Sequence, residues 1–152
     1  MILPKYPLSS SDQLMTFEFE SEGKFGRVSK LVTYQPTNLK GVYNLAFGDK
    51  SAETGQINDI AITDNGDRDK VLATVAASVY AFTDKYPDAW VYLTGSTKSR
   101  TRLYRMGISK FSDELNQDFE VYGQLNDSWE NFKLNTEFEG FLIRRKQKIK
   151  KR

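Results

Sequence analysis

The sharpest hydrophobic pattern in the chain lies between residues 65 and 108. Val71, Leu72, Val75, Val79 and Phe82 recur at steps of one, three and four, which is one face of a 3.6-residue period. Ala73, Ala76, Ala77 and Ala81 add helix propensity and allow a neighbour to approach closely. Asn65 or Asp67 can cap the start of this helix, where acids also suit the positive end of the dipole. Tyr86-Pro87 ends it, because a residue before proline is pushed out of the helical region. Ala-Trp-Val-Tyr-Leu-Thr at 89–94 follows, with large side chains on both faces, and predicts a central strand covered on both sides. Gly95-Ser96-Thr97 breaks that strand. Ser99 is the expected cap of a second helix over residues 100–106, with Gly107 placed to end it.

Period-two alternation marks the strands elsewhere. Met15, Phe17 and Phe19 alternate with Thr16, Glu18 and Glu20, which predicts a half-exposed strand over residues 14–20. Further strands are predicted over 27–34, 41–47 and 57–63, close enough together for an antiparallel meander. Beyond the second helix, 111–117 reads as irregular and 119–125 as a strand. Trp129 and Phe132 anchor a polar loop or short helix, and 138–143 forms a last strand weakened by Gly140. The expectation is about seven strands and two helices: one α+β (mixed α/β) domain with a mainly antiparallel sheet, a long helix and a short Arg-rich helix. The long helix would cross over between parallel neighbours, the fourth and fifth strands.

Composition narrows the chemistry. The chain of 152 residues contains no cysteine and no histidine. That excludes disulfides, thiol nucleophiles, Ser-His-Asp arrangements and the usual ligands of catalytic zinc. Residues 144–152 hold seven basic side chains and no acid, which leaves 15 basic and 20 acidic residues in positions 1–143. An acidic domain over 1–143 with a flexible basic tail over 144–152 is expected, and such a tail suits an anionic partner such as a nucleic acid. No segment reaches the roughly 20 apolar residues of a membrane span, and the first residues lack the apolar core of a signal peptide, so the cytoplasm is the default expectation.

One stretch suggests a site. A central strand running into a turn and a helix offers backbone N–H groups at its carboxyl end, a setting that binds anions. Ser96, Thr97, Ser99, Arg100, Arg102 and Arg105 are the candidate anion-binding residues, with Lys98 beside them. Asp64, Asp67 and Asp69 miss the spacing of a calcium loop, and helix capping explains them better than a metal does. Trp90, Tyr92, Phe17 and Phe19 could stack bases, although core packing is the expected role for strand aromatics.

The element order, together with Arg102-Leu103-Tyr104-Arg105-Met106-Gly107-Ile108, resembles part of the GNAT-type N-acetyltransferase fold, over roughly residues 40–125. That resemblance implies an acyl-coenzyme A-dependent N-acyltransferase. Gly66, Arg68 and Lys70 would then face the pyrophosphate of coenzyme A or acetyl-coenzyme A, and Tyr104 would be the catalytic acid that protonates the departing thiolate. Two departures stand against it. The turn into the long helix carries one glycine and three carboxylates, and the spacing from Tyr104 to Gly107 is one residue short of the family's. The segments NGDRDKVLATVA and GSTKSRTRLYR are also similar to a small bacterial family without an assigned function, a likeness that spans most of the chain and implies no activity.

Overall fold

The computed structural model describes residues 4–58, 63–95 and 97–147. Ser96, most of the strand expected over 57–63, and the basic positions from Lys148 onward lie outside these residues. Two compact units emerge: Met1–Gln35 with Leu45–Phe82, and Pro36–Asn44 with Thr83–Arg152. The architecture is α+β and mostly antiparallel, with eight strands and three helices among the described residues.

In the first unit the strands lie in the order β1-β2-β3-β4. They are β1 (Ser9–Ser10), β2 (Thr16–Gly23), β3 (Gly26–Pro36) and β4 (Val42–Asp49), the last of which enters this unit at Leu45. β2 and β3 form an antiparallel hairpin that runs from Thr16↔Thr33 to Gly23↔Gly26. On β2 the buried positions are Phe17, Phe19 and Ser21; the first two are on the face that the alternation predicts, whose third member, Met15, is only half-buried. The helix α1 (Arg68–Lys85) packs on Tyr34 of β3 and on Tyr6. Val71, Leu72, Val75, Val79 and Phe82 are all buried, as their spacing requires. Phe82 stacks on Tyr34 with ring centroids 4.1 Å apart. Polar residues share this core because each has a partner: Thr74 accepts from the Tyr6 amide, and Ser78 bonds the Tyr34 hydroxyl.

In the second unit the order is β5-β8-β6-β7, with antiparallel pairing throughout. The strands are β5 (Trp90–Leu93), β6 (Phe119–Leu125), β7 (Ser128–Asn131) and β8 (Gly140–Arg145). Helices α2 (Lys98–Lys110) and α3 (Ser112–Asp118) connect β5 to β6. Val91, Leu93, Val121, Phe141 and Ile143 are the buried positions of these strands.

Several expectations need correction. Eight strands form among the described residues: six of the seven expected, plus β1, expected as loop, and β7, expected as loop or short helix, while most of the strand expected over 57–63 lies outside those residues. Trp129 lies on β7, and the stretch 111–117, expected to be irregular, holds all of α3 but its last residue. The second helix begins at Lys98 and continues through Gly107, since Ile108 and Phe111 beyond it are buried anchors. The cap is Thr97, whose side chain accepts from the Arg100 amide, and not Ser99. β5 is not covered on both faces: Trp90 and Tyr92 are only half-buried. The last strand extends to Arg145, so the first two basic residues of the 144–152 run are part of the sheet.

Candidate functional site

A cleft of about 610 Å³ opens at the carboxyl end of β5. One wall comes from the strand end and the first two turns of α2: Thr94, Gly95, Thr97, Lys98, Ser99, Thr101, Arg102 and Arg105. The other comes from the segment that leads into β8: Glu137, Phe138 and Glu139. Lys98, Arg102 and Arg105 are four and three residues apart, the spacing that places side chains on one helix face. No acid occupies the first turn of α2, so the positive end of its dipole meets no carboxylate of its own helix.

The strand-to-helix turn is held tightly. The Gly95 amide donates to the Thr101 hydroxyl at 3.0 Å, and that hydroxyl donates to the Thr97 carbonyl at 3.2 Å. A side chain at Gly95 would place its Cβ 2.3 Å from the Arg100 Cβ and 2.6 Å from the Thr101 amide nitrogen. Glycine is therefore a packing requirement here. Thr94 ties the two walls together, its hydroxyl donating to the Glu139 carbonyl at 3.1 Å.

The cleft contains both signs of charge. Arg105 reaches Glu137 at 3.9 Å, a long contact to a carboxylate that is 93% exposed. Such a pair contributes little and gives way readily to a better partner.

The structure brings together Thr97, Ser99, Arg102 and Arg105 of the candidate anion-binding set. Arg100 contributes its backbone to the turn and is not among the lining residues, and Ser96 lies outside the described residues. Lys98, Thr94, Thr101 and the Glu137–Glu139 wall complete the cleft. The strand-turn-helix pattern marked Lys98. The acidic wall comes from about forty positions further along the chain and carried no local signal. Tyr104 is buried within α2 and does not line the cleft.

Gly66, Arg68 and Lys70 belong to the first unit, at the start of α1. Gly66 is exposed and takes a left-handed φ of 81°. Arg68 lies 3.5 Å from Asp64, whose carboxyl is held below the usual carboxylate range by the Gly66 amide and, secondarily, by the Arg68 charge. The Lys70 ammonium sits 4.3 Å above the Tyr6 ring. Asp67 accepts from the Tyr6 hydroxyl at 2.6 Å and from the Ser21 hydroxyl at 2.5 Å. Burial, followed by this bond to Asp67, pushes the Tyr6 phenol above its ordinary value. The buried Asn65 donates to Ser21 and to the Gly26 carbonyl, and accepts from the Phe25 amide. This turn clamps the start of α1 to the β2–β3 hairpin. Asp64 and Asp67 have separate partners, and no group of three or more His, Cys, Asp or Glu among the described residues could hold a metal ion.

A second polar cluster in the first unit is internal. Lys30 is 1% exposed, and its ammonium donates to Asp49 at 2.5 Å and to the Thr63 carbonyl at 2.8 Å. Asp49 also accepts from the Thr63 amide and hydroxyl. Burial pulls the Asp49 carboxyl up, but its bonds from Lys30 and Thr63 outweigh that and hold it below the ordinary value. All these groups are satisfied within the chain, so the cluster fixes the segment after β4.

A family model described as a family of unknown function (DUF6934) matches residues 2–146. No curated protein and no solved structure matches the chain. Among the described residues, no helix is long and apolar enough to cross a membrane.

Proposed function

The chain belongs to this family of unknown function, and we propose that it binds a small anionic ligand, of the phosphate or carboxylate class, in the cleft between α2 and the segment before β8. One observation carries the reading: Lys98, Arg102 and Arg105 share the cleft wall at helical spacing, behind a helix start that bears no acid. A bound anion would meet these cations and the positive end of the helix together. Glu137, exposed and loosely paired, would move aside as the ligand takes Arg105.

The narrower form of this reading is a divergent acyl-coenzyme A-dependent N-acyltransferase. It rests on element order and on the Arg102–Ile108 motif. Coenzyme A carries phosphates of the right class. The start of α1 is a poor pyrophosphate cradle, because Asp64 and Asp67 already occupy it with negative charge. In this form the phosphates are held by the α2 cleft instead.

Titration calorimetry with inorganic phosphate, pyrophosphate and coenzyme A tests the proposal. Saturable binding of one or more of them is expected, weakened at least about ten-fold by Arg102→Gln, as the loss of a charge-assisted contact requires. Binding that Arg102→Gln and Lys98→Gln leave unchanged would contradict it.

A further inference from the structure

One face of the second unit's sheet has no role in the cleft. The pairings Trp90↔Arg144 and Tyr92↔Leu142 put these four side chains on the same side of β5 and β8. Tyr122↔Leu142 and Gln124↔Trp129 extend that side across β6 and β7. The opposite side is the buried one, with Phe141, Ile143 and Val121. The open side therefore presents four aromatic rings, from Trp90, Tyr92, Tyr122 and Trp129, and none of them is buried. Trp129 is 43% exposed. Fully polar side chains are the usual occupants of the solvent side of such a sheet, so four rings in one patch are unexpected.

The rings do not consume one another's faces. Trp90 and Tyr122 lie 6.0 Å apart at 45°, and Tyr92 and Trp129 lie 6.0 Å apart at 72°. Gly140 leaves the middle of the patch without a side chain; a Cβ there would lie 3.1 Å from the Tyr92 ring. Gln124 stands beside it, bonded to the Tyr92 hydroxyl at 3.1 Å and offering an amide to a planar ligand's edge. At one border the Arg144 guanidinium lies 4.2 Å over the Trp90 ring. Its carboxylate partner Glu120, 3.0 Å away, is also held by the Tyr122 hydroxyl. Lys146 follows two residues later, and the sequence continues with Lys148, Lys150, Lys151 and Arg152.

We propose that this face is a stacking platform for single-stranded nucleic acid. Unpaired bases would lie on the rings of Trp90, Tyr122, Tyr92 and Trp129, and phosphates would meet Arg144 and the exposed Lys146. Aromatic rings bind every base through its π-face, and adjoining cations track the backbone. Charge complementarity selects this occupant over a second copy of the chain: positions 144–152 hold seven basic residues and no acid, and two such runs repel each other. The inference is independent of the cleft reading and shares no residue with it.

The face contains both tryptophans of the chain, so their fluorescence reports directly on it. The test uses full-length protein with a fluorescein-labelled oligouridylate of about 12 nucleotides at low salt. Anisotropy and tryptophan quenching should rise with the same midpoint and weaken as salt increases. Trp129→Ala should weaken binding about ten-fold with an unchanged melting temperature, and Trp129→Phe should restore much of it. Arg102→Gln in the cleft should have no effect, which separates this proposal from the previous one. Three results would overturn it: no anisotropy change; binding that responds to Lys148→Gln and Lys150→Gln but not to Trp129→Ala; or a dimer that Trp129→Ala dissolves, which would make the face an interface between copies.

Discussion

Lys30, its side chain 1% exposed, forms an ion pair with the partly buried Asp49, 2.5 Å away. The pair is fully hydrogen-bonded through Thr63, so its effect on stability depends on which partner is removed. Asp49→Ala leaves an uncompensated ammonium in the core of the first unit. Chemical denaturation at neutral pH should show a loss of about 3–5 kcal/mol. A loss under 1 kcal/mol would mean that water reaches Lys30.

The same pair sets an acid limit. The Asp49 carboxyl lies below its ordinary value in the folded protein, so its contribution is fully present above the unfolded value of about 3.9. The contribution fades as pH falls through the lowered folded value. Urea unfolding followed from pH 6 down to pH 2 should show stability falling fastest in that acid window. Asp49→Asn, a less stable protein throughout, should show a shallower fall there.

Gly23 faces Asn65 so closely that a Cβ on the glycine would come within 3.0 Å of the Asn65 side chain, and closer still to its carbonyl oxygen. Asn65→Ala should cost about 2 kcal/mol by removing the buried bonds that hold the hairpin turn. Hydrogen exchange should show the Phe25 amide losing protection well before the core of α1. Equal loss everywhere would mean that the turn opens only with the whole unit.

Gly95→Ala should be harmful despite the small size of the change. The Arg100 Cβ and the Thr101 amide stand where the methyl group would go, and both belong to the helix backbone or its root. Overpacking of this kind costs about 1–3 kcal/mol. Anion affinity should fall with it, since the displaced turn carries the cleft wall. A variant as stable as the wild type would show that α2 is free to shift.

What could be read from the chain follows from how local each signal is. α1 was legible because Val71, Leu72, Val75, Val79 and Phe82 declare one face over three turns. β6 was legible over all seven of its residues because Phe119 and Val121 alternate with Glu120 and Tyr122. α3 was not, since Leu115 is the one buried residue in an otherwise polar helix. β7 is four residues long and depends on the tight turn at Asn126 and Asp127, which have φ of 48° and 67°. Two such residues in succession suit a primed hairpin turn, a signal present in the sequence without the usual glycine. For the site, the basic wall of the cleft was legible in the strand-turn-helix pattern, whereas the acidic wall depends on a distant segment returning to β5. The Asn65–Lys70 turn gave the opposite lesson. Its glycine and cations resemble a ligand cradle, yet its amide and carboxylate groups clamp a hairpin.

The most direct test of anion binding by the α2 cleft is a set of amide chemical shifts on isotope-labelled protein, recorded as pyrophosphate is added. Shifts confined to residues 94–105 and 137–139, saturating and lost in Arg102→Gln, are the predicted result. Shifts at 66–70 instead, or none at millimolar ligand, would contradict it.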